Sequence, residues 1–390
     1  MRILILHNLY QQPGGEDAVV EAEERLLRSA GHEVRVEYLN NKEIVGLTAK
    51  ARTFSRVHYN PLREDWLREI LNHFRPDIVH IHNFFPLLSF SAHETACRFG
   101  CAVVQTIHNY RMLCSGGYLM RKGQVCEKCV HGSKLWGVAH RCYRGSLLGS
   151  IAVLRMQRHA ILHNVWSDFT HAIIALTQFS ADKLIEGGFP AERVVVKPNF
   201  VPLSAEVVKP RNGVLYVGRL SPEKGVTSLI QAWWEIPDEE LVIVGEGPER
   251  PSLEKGAPPN VTFLGHQSRH IVNELMQSAA LLVMPSIWYE GFPVTLVEAY
   301  RNSLPVFCSR IGSLRTLVDE GVTGGMFEVN DPSGLARSIK NALANREVLK
   351  LLGQNARSRY LREYTPEANI TKLEEIYLGA LRSVKQFTAS

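Results

Sequence analysis

The stretch from Leu281 to Tyr300, which reads LLVMPSIWYEGFPVTLVEAY, places the tightest limits on how this chain can fold. Its first four residues are apolar, which predicts a short strand buried on both faces, and Pro285 and Ser286 end that strand. From Val294 to Arg301 the apolar residues return with helical spacing. A buried strand that leads through a loop into a helix is the building unit of a doubly wound α/β sheet.

Two glutamates, Glu290 in the loop and Glu298 in the predicted helix, are the chemically distinctive residues of this stretch. A loop that feeds a helix amino terminus presents N–H groups and the positive end of the helix dipole to a ligand. Because carboxylates repel phosphate, we expect these two to bind the hydroxyl groups of a sugar or ribose. The plainer alternative is that Glu290 caps the helix and Glu298 is a solvated helical residue.

A second candidate site follows the apolar run from Gly213 to Gly218, which predicts another buried strand. Two cations, Arg219 and Lys224, come directly after it, and the intervening Ser221-Pro222-Glu223 predicts a helix start with serine as the cap. Two cations beside a helix amino terminus repel each other unless an anion lies between them, and a diphosphate is such an anion. The alternative is a pair of surface charges near a cap.

The two motifs at this spacing, Glu290 with Glu298 eight positions later and the upstream segment GRLSPEKG from Gly218 to Gly225, resemble those of a known enzyme family. That family is the retaining glycosyltransferases of the two-Rossmann-domain (GT-B) architecture, specifically family 4, also described as glycosyltransferase group 1. The resemblance covers nearly the whole chain. It implies an α/β fold of two Rossmann-like domains facing a cleft, and sugar transfer that retains the anomeric configuration.

The resemblance also implies how a nucleotide diphosphate sugar, such as a UDP- or GDP-sugar, is bound. Arg219 and Lys224 would hold the diphosphate and neutralise the leaving group, and Glu298 would bind the ribose hydroxyls. No catalytic metal is expected, which agrees with the lack of an Asp-x-Asp motif near the site. The sugar would be oriented by Glu290 and by the backbone of the three residues after it: Gly291, Phe292 and Pro293.

Residues 2 to 200 alternate strand-like and helical apolar patterns, which predicts a second doubly wound sheet. After its first strand, Gly14 and Gly15 precede a helix; their place matches the family's donor-side loop, although any tight turn uses such glycines. The predicted strands are Arg2–His7, Glu33–Leu39, Asp77–Asn83, Ala102–His108 and His171–Thr177.

Histidines cluster at the ends of these predicted strands. His108 ends the fourth strand, where similar enzymes have a histidine that lines the cleft opposite the donor sugar, and a histidine that is merely hydrogen-bonded is the alternative. Asn109 stands where relatives often have aspartate. His80 and His82 share one strand face by their spacing of two, so they line the acceptor side or form a hydrogen-bonded pair.

The segment 111–144 breaks the regular pattern with four cysteines and with seven basic residues against one acid, Glu127. A Cys-x2-Cys knuckle flanked by one cysteine on each side predicts a structural zinc site, in which His131 or His140 could replace a cysteine. Thiols without a metal, or a redox pair, are the alternatives. We expect this basic insertion to cover the acceptor pocket. The four candidate ligands are Cys114, Cys126, Cys129 and Cys142.

Length and composition fit two globular domains, because the chain has 390 residues, 45% of them hydrophobic and 21% charged. The predicted parts are an acceptor-side domain at 1–200, a nucleotide-sugar-binding domain at 201–365, and a helix at 366–390 that crosses back to the first domain. No apolar run approaches the roughly 20 residues of a membrane span, and the amino terminus reads as a strand and not as a signal peptide. These features predict a cytoplasmic protein with thiols instead of disulfides.

The formal charge of +5 is concentrated in the first half, where residues 1–200 contain 24 Lys plus Arg against 18 Asp plus Glu. A basic half suits an acceptor that bears phosphate, or peripheral contact with an anionic inner membrane face, and it equally suits solubility alone. Nucleic-acid binding is disfavoured because the basic insertion has few aromatic residues to stack on bases.

Together these features predict a retaining glycosyltransferase of the hexosyltransferase type. It would move a sugar from a nucleotide diphosphate sugar to a hydroxyl of a carbohydrate or lipid-linked acceptor, in glycan, polysaccharide or glycoconjugate biosynthesis. A sugar-nucleotide epimerase or phosphorylase of the same architecture, or a non-catalytic zinc-containing scaffold, are the alternatives. The candidate catalytic residues are His108, Arg219, Lys224 and Glu290.

Overall fold

The computed structural model describes residues 1–10, 15–204 and 210–387. Most of its strands occur where short apolar runs predict them; the exceptions include β5 and β6, which lie in the polar insertion and are not buried. They are β1 Arg2–Leu9, β2 Glu33–Asn40, β3 Ile78–Ile81, β4 Ala102–Ile107, β5 Met120–Arg121, β6 Gln124–Val125, β7 Ala172–Ala175, β8 Val194–Val196, β9 Val214–Val217, β10 Leu241–Val244, β11 Val261–Gly265, β12 Leu281–Met284, β13 Val306–Ser309 and β14 Gly324–Phe327.

Helices separate nearly all of the strands, as the connections of a parallel sheet require. The helices are α1 Gly15–Ser29, α2 Gly46–Arg56, α3 Pro61–Phe74, α4 Ser91–Arg98, α5 Leu135–Ala139, α6 Leu147–Leu162, α7 Val165–Asp168, α8 Gln178–Glu186, α9 Val226–Trp233, α10 Arg250–Gly256, α11 Arg269–Ser278, α12 Val294–Arg301, α13 Leu314–Leu317, α14 Pro332–Leu343, α15 Arg346–Glu363 and α16 Pro366–Phe387. In the described part of the chain, none of them combines the length and the hydropathy needed to cross a membrane.

Two six-stranded parallel sheets organise the chain, in the orders β2-β1-β3-β4-β7-β8 and β11-β10-β9-β12-β13-β14. The chain divides into two compact units, which we call the first and the second unit. The predicted α/β class with two Rossmann-like sheets is confirmed. The first unit consists of Met1–Leu119, Cys126–Pro198 and Asn369–Ser390, and the second of Met120–Val125 and Asn199–Ala368.

Each unit has its own apolar core. In the first unit, α16 packs its buried Leu373 and Tyr377 against Ile3 and Ile5 of the central strand β1. In the second unit, the fully buried Trp233 and Tyr300 lie on opposite clusters that flank the sheet. Burial of a large apolar side chain contributes about 1.5–3 kcal/mol, so these positions fix the helices that carry the site.

The predicted helix start is confirmed in position, with Ser221 at the N-cap and Pro222 first, but the helix is a single 3₁₀ turn and the predicted side-chain cap is wrong. Pro222–Lys224 forms a single 3₁₀ turn that Gly225 ends at a φ of 67°, and α9 begins only after it. The Ser221 hydroxyl donates to Glu223 Oε1 at 2.7 Å and caps no helix. The physical reason is a close approach: a β carbon on Gly225 would lie 2.1 Å from the carbonyl oxygen of Pro285, so the chain must turn there with a left-handed glycine.

Candidate functional site

The two sequence motifs lie at the carboxyl ends of the neighbouring strands β9 and β12 in the second unit. Leu281 pairs with Val214 in register, so the loops that follow these strands leave the sheet side by side. The loops are also joined directly, because the Ile287 N–H donates to the Glu223 carbonyl at 3.0 Å. Ligand sites of open α/β sheets form at this edge.

An ion pair between Lys224 and Glu290 connects the two motifs. The distance from Lys224 Nζ to Glu290 Oε1 is 2.7 Å, and the Ser286 hydroxyl donates to the same oxygen at 2.6 Å. The Lys224 side chain is 24% exposed and that of Glu290 only 6%. The ammonium also lies 5.4 Å from the ring centroid of Trp288. The cation is therefore accessible to a ligand, while the carboxylate is held behind it.

The Glu290 loop is held by residues that the sequence did not identify as functional. The Ser313 hydroxyl, which is fully buried, donates to the backbone carbonyl of Glu290. Ser313 lies 23 residues further along the chain, so no local spacing points to it. Ser286 lies four residues before Glu290, but in the sequence it marked only the end of a strand.

Arg219 is placed differently from Lys224. Its side chain is exposed, and it forms no ion pair with any residue that the structure describes. Its backbone is fixed, because the Tyr216 hydroxyl donates to the Arg219 carbonyl at 3.0 Å. The loop is thus ordered while the guanidinium stays open to solvent.

Glu298 lies in α12 and is partly buried. Burial raises the pKa of its carboxyl group, and the positive charges of Arg301 and Arg269 oppose that effect. Within the described chain, no hydrogen bond or ion pair joins its carboxylate to Lys224 or Glu290. The structure therefore brings Glu290 together with Lys224 but leaves the Glu298 carboxylate apart from that pair.

The loop Gly291–Pro293 leads directly into α12. Pro293 occupies the N-cap position, and no side chain accepts a hydrogen bond from the first turn of the helix. The alternative in which Glu290 caps α12 is therefore not observed. The first-turn N–H groups of α12 remain a potential partner for an anion or a hydroxyl oxygen.

His108 and Asn109 line a pocket within the first unit, together with His82, Arg111 and Glu16. His108 Nε2 lies 3.0 Å from His82 Nδ1. Burial lowers the pKa of His108 well below its usual value, and the neighbouring His82 adds to that effect. At the adjoining helix start, Gly15 is the first residue of α1, whereas Gly14 lies outside the described residues.

The other wall of this pocket is polar. The Tyr10 hydroxyl donates to Glu16 Oε2 at 2.6 Å, and burial raises the pKa of Glu16 to about 7. Arg111 lies 5.0 Å from the ring centroid of Phe85, and its buried Nε makes no hydrogen bond in the described part of the protein. The pocket thus offers a guanidinium and a carboxyl group that titrates near neutrality.

Three of the four cysteines of the insertion, Cys114, Cys129 and Cys142, lie near one another. A β carbon on Gly116 would be 3.8 Å from Cys114 Sγ and 3.9 Å from Cys142 Cβ. Burial and the neighbouring Cys114 raise the pKa of the Cys129 thiol to about 11. Among the described residues, no three of the four sulfurs, which include that of Cys126, lie close enough to share one ion. Four thiols are the right donor set for zinc, and the site stays a prediction.

Solved structures of other proteins have the same fold as this chain. The structure of Anabaena Alr3699/HepE in complex with UDP superposes with a TM-score of 0.69 and 19% identity, over 96% of this chain and 99% of that one. A sucrose-phosphate synthase from Thermosynechococcus elongatus superposes with a TM-score of 0.70 and 16% identity, over 100% of both chains. At these identities the likeness shows the fold, which is that of GT-B glycosyltransferases.

Sequence comparison gives the family. The model of Glycosyltransferase Family 4 matches residues 13–205, and that of Glycosyl transferases group 1 matches residues 204–359. The chain belongs to the group 1 glycosyltransferases of family 4, which confirms the family inferred from the motifs.

Two curated relatives illustrate how far the sequence similarity extends. An uncharacterized glycosyltransferase of Methanocaldococcus jannaschii is 31% identical over 167 residues, which are 42% of this chain and about half, 47%, of that protein. A glycogen synthase of Mycobacterium tuberculosis is 27% identical over 324 residues, 80% of this chain and 71% of that enzyme.

Proposed function

We propose that the protein transfers a sugar from a nucleoside diphosphate sugar to an acceptor hydroxyl, with retention of the anomeric configuration. The observation that carries this proposal is the 2.7 Å contact between Lys224 and Glu290, which are 66 residues apart in the chain. The contact puts a cation that could bind a diphosphate beside a carboxylate that could bind hydroxyl groups, at the carboxyl ends of strands β9 and β12. HepE, which shares the fold, has been solved with UDP and with UDP-glucose, which supports a nucleotide sugar as the donor.

In this proposal, the charged residues of the second unit bind different parts of the donor. Lys224 and Arg219 bind the diphosphate, and Glu298 binds the ribose hydroxyls. Glu290 binds the sugar hydroxyls together with the backbone of Gly291, Phe292 and Pro293. The open Lys224 is suited to this role, because it can exchange its carboxylate for a phosphate oxygen with little desolvation cost. The positive charge then stabilises the departing nucleotide in the transition state.

The donor assignment is tested by a screen of nucleotide sugars with the full chain, followed by Glu290→Gln in the responding reaction. Nucleotide sugars that bind should raise the unfolding temperature. The anomeric configuration of the product, read by proton NMR, should match that of the donor. Glu290→Gln should impair transfer strongly while nucleotide binding persists, because the variant loses a charged acceptor for the sugar hydroxyls and keeps the diphosphate site.

Glu298→Gln is the matched control for the Glu290 experiment, because it makes the same chemical change on the neighbouring helix. We expect it to weaken nucleotide affinity more than it lowers kcat. If Glu290→Gln lost nucleotide affinity with unchanged turnover, the two glutamate roles would have to be exchanged. If no nucleotide sugar bound or reacted, the transferase proposal would fail.

The acceptor is proposed to bind in the pocket of the first unit, beside His108. Its polar wall favours a carbohydrate acceptor or the sugar of a lipid-linked one, because Glu16 and Asn109 can bind hydroxyl groups and Arg111 can bind an anionic substituent. Arg111→Gln, which keeps a hydrogen-bonding side chain, should raise the KM for a phosphate- or carboxylate-bearing acceptor and leave a neutral acceptor unaffected. An equal effect on both kinds of acceptor would contradict an anion-binding role.

A structural zinc in the insertion 111–144 stays a prediction. Elemental analysis of the purified chain decides it, and Cys126→Ser with Cys129→Ser is the variant that should lose the metal. Because the Cys126 N–H donates to the Leu119 carbonyl and not to a sulfur, the double change leaves that hydrogen bond in place. Purified protein without zinc would remove this idea and would leave the transferase proposal untouched.

A further inference from the structure

A line of titratable side chains runs from the interior of the first unit to the pocket residue His108. It begins at Glu23 in α1 and continues through His82, which follows β3. The distance from Glu23 Oε1 to His82 Nε2 is 3.3 Å, and that from His82 Nδ1 to His108 Nε2 is 3.0 Å. The three residues come from separate elements, so only the fold brings them into line.

Glu23 is ionised although it is buried. Lys197 Nζ lies 2.9 Å from its Oε2, and the two side chains are 1% and 2% exposed. Burial raises the pKa of Glu23, but the charges of Lys197 and His80 together with hydrogen bonding bring it well below its usual value. Since an ionised carboxylate can only accept hydrogen bonds, the ring nitrogen of His82 that faces it must carry a proton.

Both imidazoles in the line are neutral. Burial and the neighbouring His80 lower the pKa of His82 to about 3, and burial lowers the pKa of His108 well below its usual value. A neutral imidazole has one donor and one acceptor nitrogen. His82 therefore donates from Nε2 towards Glu23 and accepts at Nδ1. It follows that His108 donates from Nε2 and keeps Nδ1 as an acceptor.

The outer end of this line lacks a partner, whereas the inner end is closed. Glu23 Oε1 and His82 Nε2 are fully buried and lie 3.3 Å apart, and neither has a well-aligned hydrogen-bond partner among the described residues; His80 Nδ1 lies 3.1 Å from the same carboxylate oxygen. His108 keeps partial exposure and lines the pocket, and its Nδ1 forms no hydrogen bond with the residues that the structure describes. An acceptor nitrogen in a polar pocket is suited to a ligand hydroxyl.

We propose that Glu23 and His82 are positioning residues that hold His108 as a hydrogen-bond acceptor for a carbohydrate hydroxyl in the first-unit pocket. This inference rests on the proposed function for the nature of the ligand. The tautomers that it requires can nevertheless be measured without any substrate, so the two can fail separately.

A metal ion is the competing interpretation, because Glu23, His80 and His82 place three ligand atoms within reach of one ion. Two contacts disfavour it. The Lys197 ammonium already occupies Glu23 Oε2, and a buried ammonium repels a divalent cation. The Tyr377 hydroxyl lies 2.8 Å from His80 Nδ1, so that nitrogen is already engaged. The cluster is therefore assigned as a hydrogen-bonded line.

The test uses the full chain labelled with ¹⁵N-histidine, in which two-bond proton–nitrogen correlations report each tautomer. In the wild-type protein, His82 and His108 should both carry the proton on Nε2. In the double variant Glu23→Gln with Lys197→Met, no charge is left buried alone, and the glutamine can donate as well as accept. We expect mixed tautomers at both histidines. We also expect a roughly tenfold fall in kcat, about 1.4 kcal/mol, with the donor KM little changed.

Tyr377→Phe is the matched control, because it removes a hydrogen bond to His80, whose Nδ1 also lies 3.1 Å from Glu23 Oε1, and removes no contact among Glu23, His82 and His108. It should change neither the tautomers nor kcat by more than about twofold. If the double variant does not fold, His82→Phe takes its place, since it removes the acceptor for His108 Nε2 and keeps the Glu23–Lys197 pair.

Two outcomes would overturn the inference: a proton on Nδ1 of His108 in the wild-type protein, or wild-type tautomers and kcat in the double variant. A wild-type protein that transfers no sugar would instead refute the proposed function. In that case the spectra would still decide the tautomers.

Discussion

Each Rossmann-like unit contains a lysine–glutamate pair next to its candidate site, and the two pairs differ in exposure much more than in distance. Lys197 and Glu23 are 2.9 Å apart in the first unit, with side chains that are 1% and 2% exposed. Lys224 and Glu290 are 2.7 Å apart in the second unit, with side chains that are 24% and 6% exposed. The same chemical pair is closed in one unit and open in the other.

The surroundings explain what each pair can do. Lys197 also donates to Asn369 Oδ1 at 3.1 Å, so its ammonium has protein partners and no access to a ligand. Lys224 has Glu290 on one side and the ring of Trp288 nearby, and it keeps part of its surface open. A closed pair can orient its neighbours, and breaking it lowers the stability of the fold strongly. An open pair can exchange one partner for a ligand at little cost in stability. The comparison therefore supports the proposals that the first pair orients its neighbours and that the second pair binds a ligand.

The largest expected effect is on the closed pair. Lys197→Met should lower the free energy of unfolding by about 3–5 kcal/mol, because it leaves the Glu23 carboxylate buried without its ammonium. Urea denaturation followed by tryptophan fluorescence measures the change.

Two controls sharpen that experiment. The double variant Lys197→Met with Glu23→Gln should recover most of the lost stability, because no buried charge remains. Lys224→Met should cost less, about 1 kcal/mol, because the Lys224 side chain is 24% exposed and the Ser286 hydroxyl still donates to Glu290 Oε1. Equal destabilisation by Lys197→Met and Lys224→Met would break the comparison.

The second largest expected effect is on the rate of sugar transfer when the open pair is changed. Lys224→Met should slow sugar transfer by about ten- to two-hundredfold, which corresponds to the loss of one charge-assisted hydrogen bond of roughly 1.5–3 kcal/mol in the transition state. Steady-state kinetics measure the rate, and circular dichroism checks that the fold persists. Lys224→Arg keeps the charge and should retain more of the rate. Unchanged turnover in Lys224→Met would show that the open pair does not bind the leaving group.

Acid should destabilise the first unit before the second. The folded pKa of His82 is about 3 and the ordinary value is 6.5, so between these pH values the unfolded chain binds more protons than the folded one. Stability contributed by the neutral histidine is therefore complete above about pH 6.5 and is lost as the pH falls. Each such histidine should lower the free energy of unfolding by about 1.4 kcal/mol at a pH near 5.5.

Hydrogen exchange at pH values of about 7.5 and 5.5 separates the units in this experiment. Protection should fall in the first-unit strands, because the pKa of His93 is also lowered by burial, to about 4. The histidines of the second unit, His266 and His270, are exposed. His82→Phe should reduce the acid sensitivity of the first unit. Equal loss of protection in both units would contradict the assignment.

Local patterns were enough to predict the fold and the motif loops. The apolar run Leu281–Met284 and the helical spacing of Val294–Arg301 each depend on neighbours in the sequence, and both elements occur with those bounds. The helix start at Ser221 was predicted, but its end after a single 3₁₀ turn was not, because that end depends on a distant contact. The left-handed turn at Gly225 is imposed by the carbonyl of Pro285, 60 residues further along the chain.

The closed pair could not be predicted for the same reason. Glu23 lies in α1 among several other acidic residues and looks like any glutamate of an amphipathic helix. Lys197 follows a short strand and stands 174 residues away, and only tertiary packing buries the two together. Sequence motifs identified the open pair because ligand binding requires residue types at fixed local spacings. A pair that serves orientation needs no such spacing.

The smallest expected effect on stability is at Arg219. This residue tests whether an exposed cation at this edge of the sheet is enough to bind a diphosphate. Arg219→Ala should change the free energy of unfolding by less than about 0.5 kcal/mol, because the side chain is exposed and forms no ion pair within the described residues. The same change should weaken nucleotide diphosphate affinity and make that affinity less sensitive to salt, since one charge contact with the phosphates is lost. Calorimetric titration at two salt concentrations measures both quantities.

Unaltered affinity would mean that an exposed cation at this sheet edge is not sufficient for binding. Lys224, which is partly enclosed by Glu290 and Trp288, would then be the residue that holds the diphosphate.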